Sequence, residues 1–172
     1  MIRITGGALS GRVLPEQVQE GVRPTAARVR EAVFSMVGQD LSGWSMLDLF
    51  GGTGLMAIES ASRGAAPVVC VEKKASTARA IRANVSALGA GVEVAIADAS
   101  SWSRPADLVY LDPPFREPIA GWLVRAAPLT LRVLVAEARA PVEWPEVDGF
   151  VLDRSRRYGD TAVAIYVRGP TG

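Results

Sequence analysis

From about residue 45 onward, short apolar runs alternate with longer stretches whose apolar positions recur at helical spacing. "SMLDLF", "PVVCVE", "GVEVAIAD", "ADLVYLD" and "LRVLVAEA" read as strands. Between them "GLMAIESASRGA" and "KASTARAIRANVSALGA" read as helices closed by Gly64 and Gly89, and a further helix runs from about Pro118 to Ala127. Strands alternating with helices predict a mostly parallel sheet with helices on both faces and right-handed crossovers. The last runs, "FVLDRSRRYG" and "DTAVAIYVR", are separated by a glycine and an acid and predict an antiparallel pair. Ahead of this pattern, "AARVREAVFSMV" sets Val29, Ala32, Val33, Met36 and Val37 on one helical face, with Thr25 as N-cap and Gly38 as its end. Residues 1–24 are short β-type pieces broken by glycine and proline, and predict a small hairpin arm followed by one domain over 25–172.

Within that frame, "LVYLDPPF" is unusual. An apolar run of the kind that fills a central parallel strand ends on Asp112, and two prolines then forbid a further ladder donor. In open α/β sheets ligands bind at the carboxyl ends of strands, so the acid stands where a substrate would sit. Three other strands end at or near an acid in the same way: Asp48, Glu72 and Asp98. One such acid is ordinary surface decoration; four at one sheet edge point to a site. "LDLFGGTGLMAIE" places glycines between a strand and a helix, where the backbone can approach a ligand and the helix N-terminus offers free amides. Taken alone, Gly52 to Ala57 also fits a dinucleotide fingerprint. Glu72 could accept both hydroxyls of a ribose, Asp98 an exocyclic amine of adenine, and Asp48 puts negative charge near a cationic part of the ligand.

Composition narrows the chemistry. The 172 residues contain no histidine and one cysteine, which excludes Ser-His-Asp and Cys-His catalysis, a disulfide and a cysteine zinc cluster. Cys70 lies in an apolar strand and reads as core. No metal is expected. With 49% apolar residues, no run long enough to cross a bilayer and no secretory signal, the expectation is a cytoplasmic protein, monomeric by default. Net charge is only +1, but 17 of the 19 basic residues are arginine. Five of them (Arg3, Arg12, Arg23, Arg28, Arg30) fall within the first 30 residues, and Arg154, Arg156 and Arg157 form a second cluster. Arginine forks suit phosphate contacts and base stacking.

Taken together, "LDLFGGTG", "VVCVEKK", "IADA" and "DPPF" resemble the motif ladder of class I S-adenosylmethionine-dependent methyltransferases, and the tetrapeptide resembles the signature of amino-group methylators. More narrowly, "RITGGALSGRVL", "GVRPTAARVREAVFSMV", "ESASRGA", "RANVSALG" and "RRYGDTAVAIY" resemble the RsmD family, from about Arg3 to Tyr166. Gly52 and Thr53 depart from the Ala and Ser expected in the glycine loop, and the chain is short between its last strands. The resemblance implies a Rossmann-like seven-stranded fold and transfer of a methyl group to the exocyclic N2 of a guanine in 16S ribosomal RNA, on the small ribosomal subunit. It implies that Asp112, Pro113, Pro114 and Phe115 carry the chemistry. It places S-adenosylmethionine against Arg23, Thr25, Asp48, Phe50, Gly51, Gly52, Thr53, Gly54, Glu72, Lys73, Asp98, Ala99 and Asp112, with S-adenosylhomocysteine as product. Arg3, Arg12, Arg23, Arg28, Arg116 and Arg156 are then expected on RNA phosphates.

Rival readings stay open at this level. A DNA adenine-N6 methyltransferase shares the tetrapeptide but normally needs a target-recognition region for which this chain has little room. A protein glutamine methylator usually begins that motif with Asn. An NAD-dependent oxidoreductase would fit the glycines and leave DPPF unexplained. A non-catalytic RNA-binding or assembly protein could keep the fold.

Overall fold

A computed structural model describes residues 2–15 and 24–170. Its centre is one seven-stranded sheet in the order β3-β2-β1-β4-β5-β7-β6. The strands are β1 (Met46–Asp48), β2 (Val68–Glu72), β3 (Val92–Ile96), β4 (Ala106–Leu111), β5 (Thr130–Arg139), β6 (Phe150–Tyr158) and β7 (Thr161–Arg168). Strands β1 to β5 run parallel, and β7 inserts antiparallel between β5 and β6. The sheet thus has the mixed, Rossmann-like topology of the class I methyltransferase fold, with the expected terminal antiparallel pair. Strand order reverses between β1 and β4, which opens the crevice at their carboxyl ends.

Among the described residues four α-helices cover the sheet: α1 (Ala27–Val37), α2 (Leu55–Ser62), α3 (Ala75–Leu88) and α4 (Ile119–Ala126). Residues of α1, α2 and α3, among them Val33, Phe34, Ala57 and Ile81, pack on one face with Tyr110, Val135 and Val163. On the other face α4 sets Ile119, Leu123 and Ala126 against Leu111, Leu134 and Tyr166. Central strands are buried on both sides, which is why β2 and β4 read as unbroken apolar runs.

Helix α1 differs from its sequence pattern in two respects. Its N-cap is Ala26 and no side chain caps it, so Thr25 is not the cap. Instead the Thr25 carbonyl accepts the Arg30 guanidinium. The buried face of α1 also includes Arg30 and Phe34, which the apolar spacing alone did not select. Arg30 can be buried because it is paired: its Nε lies 3.1 Å from Glu59 Oε1, and its second amino group donates to the Arg3 carbonyl at 2.8 Å.

The first residues form an antiparallel bridge between Arg3 and Val13, with Ile4 N–H donating to the Arg12 carbonyl at 2.9 Å. Ile4 and Leu14 bury themselves against Leu55, Ile58 and Leu88 of α2 and α3. Glu59 on α2 fixes this arm, accepting the Thr5 N–H at 2.8 Å and the Thr5 hydroxyl at 2.9 Å.

Candidate active site

The parallel strands deliver their carboxylates to one edge. Asp48 closes β1, Glu72 closes β2, Asp98 follows β3 by two residues, and Asp112 follows β4 directly. Asp48 is 1% exposed and accepts the Phe50 N–H at 3.1 Å. Burial, reinforced by the nearby charges of Asp112, Glu72 and Glu137, pushes its carboxyl well above the ordinary range. Glu72 clasps the glycine loop: its two oxygens accept the N–H of Gly52 at 3.1 Å and of Lys74 at 2.8 Å. Asp98 is exposed and caps the short 3-10 turn that begins at Ala99, accepting the Ser100 N–H at 2.8 Å and the Ser100 hydroxyl at 2.7 Å. Those hydrogen bonds hold its carboxyl below the usual range.

The glycine loop is tight because it packs on protein. A Cβ on Gly51 would fall 2.8 Å from Cys70 Sγ, and one on Gly54 would fall 2.5 Å from Ile81 Cγ2. Gly54 also has a φ of 74°, the left-handed conformation that disfavours any side chain. Close approach of the loop to β2 and α3 therefore demands these glycines before any ligand is considered. Phe50 lies edge-on to Trp122 of α4 with ring centroids 4.7 Å apart.

At the end of β4, Pro113 is buried while Pro114 and Phe115 are exposed, Phe115 by 40%. Burial raises the Asp112 carboxyl to about 6. Beside it stands a residue that the sequence reading missed. Glu137 on β5 is 4% exposed, and burial followed by the charge of Asp112 pushes its carboxyl up to about 8. The Tyr110 hydroxyl stands beside it, yet neither that hydroxyl nor Glu137 Oε1 has a partner at good hydrogen-bonding geometry. "VLVAEAR" has the same form as the other four strands, an apolar run ending near an acid, and that form was the available signal. A cavity of about 170 Å³ opens here, walled by Pro113, Phe115, Ile119, Glu137 and Arg139 among others.

The basic residues expected on RNA do not all lie at this edge, because Arg12 sits at the C-terminal end of α3, by the amino ends of the parallel strands. Arg23 lies outside the described residues. Arg28 is exposed, with its guanidinium 5.6 Å from the centre of the Tyr158 ring, and Arg116 and Arg156 are exposed. Arg3 donates to the Gly11 carbonyl at 2.9 Å, and Arg12 reaches the Leu88 carbonyl at the end of α3 at 3.3 Å. Thr25 and Lys73 flank the acid edge, Thr25 near the Tyr110 hydroxyl and Lys73 near Asp98. Among the described residues no group of three or more acids or cysteines is disposed to hold a metal ion, and no helix is long and apolar enough to cross a membrane.

The chain has recognisable relatives. A family model described as conserved hypothetical protein 95 matches residues 2–167. Ribosomal RNA small subunit methyltransferase D of Escherichia coli is 30% identical over 188 residues, spanning 99% of this chain and 92% of that protein. The solved structure of the Escherichia coli protein yhhF superposes with a TM-score of 0.85 at 30% identity, covering 97% of each chain. At 18% identity, magnesium protoporphyrin IX methyltransferase from Synechocystis, solved with bound SAM, shares the fold with a TM-score of 0.68, over 83% of this chain and 79% of that one.

Proposed function

The chain belongs to the family described as conserved hypothetical protein 95, the RsmD family, and on that premise we propose that it is a methyltransferase that uses S-adenosylmethionine to methylate the exocyclic N2 of one guanine in 16S ribosomal RNA. The observation that carries this reading is the row of acids at the crevice, with Asp112 held at its centre on a two-proline turn.

The donor set at that edge suits the cofactor. Glu72 offers a carboxylate to ribose hydroxyls, Asp98 an acceptor to an adenine amine, and Asp48 and Asp112 negative charge to a sulfonium and its ammonium group. A dinucleotide fits less well, because its pyrophosphate would lie among these carboxylates with Gly52 N–H already committed to Glu72. When bound, S-adenosylmethionine supplies an electrophilic methyl whose bond to sulfur breaks as the nitrogen lone pair bonds to carbon, leaving neutral S-adenosylhomocysteine.

The protein's own task is to prepare the amine. An amine on an aromatic ring is a weak nucleophile because its lone pair is delocalised. Acceptance of its two N–H bonds by the Asp112 carboxylate and the Pro113 carbonyl would favour the pyramidal form and aim the lone pair at the methyl group. Pro113 and Pro114 hold those acceptors still, and fixed orientation is a large part of such rate enhancement. Phe115, half open to solvent, would stack on the base once it leaves its RNA stack, offsetting part of an unstacking cost of about a few kcal/mol. The proton that the methylated nitrogen sheds passes to a carboxylate at this edge or to water. Arg3, Arg12, Arg23, Arg28, Arg116 and Arg156 would hold RNA phosphates, so affinity should fall with salt. Assembled or partly assembled small subunits are the expected substrate, since a short basic arm suits a folded ribonucleoprotein surface better than naked RNA.

The test is methyl transfer from labelled S-adenosylmethionine to small ribosomal particles and to ribosomal RNA lacking the modification, with duplex DNA alongside. N2-methylguanine at a single RNA position is the expected product; methyladenine in DNA, or binding of the cofactor without transfer to any of these, would overturn the reading.

A further inference from the structure

The unexplained group at this edge is Glu137. The register of β4 on β5 runs Tyr110 to Val135 and Leu111 to Ala136, so its next step sets Asp112 beside Glu137. Neighbouring strands are about 4.8 Å apart, which makes the two carboxylates adjacent acceptors on one edge. Side-chain alternation sends both to the face shared by Tyr110 and Val135. Glu137 is among the residues that wall the cavity with Pro113 and Phe115, and its buried Oε1 has no well-aligned donor although the Tyr110 hydroxyl stands beside it. A native protein seldom leaves a buried acceptor empty unless something else fills it.

A guanine presents two neighbouring donors on its Watson–Crick edge, N1–H and the N2 amine. An adenine presents an amine beside a bare N1 acceptor. We propose that Glu137 is a specificity-determining residue whose ionised carboxylate accepts guanine N1–H while Asp112 accepts N2–H, so that the Asp112–Glu137 pair reads guanine by its two adjacent donors. This inference rests on the guanine reading above. It gives Glu137 a role in choosing the base, and leaves methyl transfer itself to Asp112 and its neighbours.

The electrical surroundings of Glu137 give the idea a pH signature. Asp112 and Tyr110 face it from the end of β4 and Asp48 from the end of β1, while Glu117 and Arg139 share the cavity wall. Its register neighbour on β7 is the uncharged Val163. Burial and the Asp112 charge favour its protonated form up to about pH 8. A protonated Glu137 is a donor and suits a base with a bare N1; an ionised one is an acceptor and suits guanine. Preference for guanine must therefore grow as pH rises.

The experiment uses small subunits reconstituted with ribosomal RNA that carries either guanine or 2-aminopurine at the modified position. 2-Aminopurine keeps the exocyclic amine but has an unprotonated N1. The ratio of kcat/KM for guanine over 2-aminopurine is measured between pH 6.5 and 8.5 for the wild type, Glu137→Gln and Glu137→Ala. For the wild type the ratio should climb by about tenfold or more, since one proton is released for each guanine bound. Both variants should give a ratio that stays flat with pH, within about twofold. The amide of Glu137→Gln can either donate or accept, and it nearly preserves shape, so it keeps the test decisive if Glu137→Ala fails to fold. S-Adenosylmethionine affinity, measured by calorimetry, should be unchanged in Glu137→Gln. A wild-type ratio that does not move with pH, or one that moves equally in Glu137→Gln, overturns the proposal while leaving guanine methylation intact. Failure of the wild type to methylate guanine at all overturns the underlying reading instead.

Discussion

Glu59 and Glu137 are both acids that water hardly reaches, yet the fold treats them in opposite ways. Glu59, on α2, is 0% exposed and completely engaged: Arg30 lies 3.1 Å from one oxygen and Arg63 3.3 Å from the other, and Thr5 donates to both. Glu137, on β5, is 4% exposed, stands beside another acid, and has an oxygen with no well-aligned donor and only the Tyr110 hydroxyl near it. A satisfied buried charge needs no ligand to explain it; it pins the N-terminal arm to the domain. An unsatisfied one beside a cavity marks where a ligand is expected to complete the structure. Burial alone therefore says little about function, and the partner count says much.

The sharpest way to break this comparison is to remove the paired acid. Glu59→Ala leaves Arg30 and Arg63 buried without a counter-charge, and should cost about 3–5 kcal/mol. For a domain of this size that lowers Tm by about 10 °C or more in a thermal melt. A loss of under about 1 kcal/mol would show that the network is dispensable. Next in size is Asp112→Ala. Methyl transfer at saturating cofactor should fall by at least about a hundredfold, or about 2.7 kcal/mol in the barrier. Activity within about tenfold of wild type would remove Asp112 from the mechanism.

Stability against pH tests the environment of Glu137 by itself. A carboxyl raised from 4.5 to about 8 binds its proton more tightly in the folded chain than in the unfolded one. Its contribution is therefore complete at low pH and is lost as pH rises from about 4.5 to 8. Glutamine cannot ionise, so between pH 5 and 8.5 the wild type should lose stability relative to Glu137→Gln, on the order of 1–3 kcal/mol. Parallel denaturation curves at the two pH values would contradict this. The smallest effect concerns the exposed arginines. Arg28→Ala with Arg156→Ala should weaken binding to small ribosomal particles modestly and reduce the slope of log affinity against log salt by about two. An unchanged slope would place the RNA elsewhere.

The order of strands and helices was readable because the apolar periods are clean: runs such as "VVCV" and "LVYL" suit only a sheet covered on both faces. The acids at the ends of β1, β2 and β4 were readable for the same reason, since each closes such a run. Glu137 escaped because β5 continues for two residues beyond it, to Arg139, so the acid looked like one polar position within a strand. Arg30 and Glu59 escaped because each sits on a helix as a charge among apolar neighbours, and pairing across 29 residues cannot be inferred from spacing.

What the sequence determined by itself is local: which segments are strands, where prolines and glycines stop them, and which chemistry is impossible without histidine. Tertiary structure decided adjacency. Strand order set β4 beside both β1 and β5, and parallel register then brought Asp112 and Glu137 to one edge, two residues beyond the level of Asp48. Each of residues 48, 112 and 137 stands at or near the end of an apolar run, but no spacing in the sequence links one to another; burial of both faces of the sheet is the long-range force that brings them together.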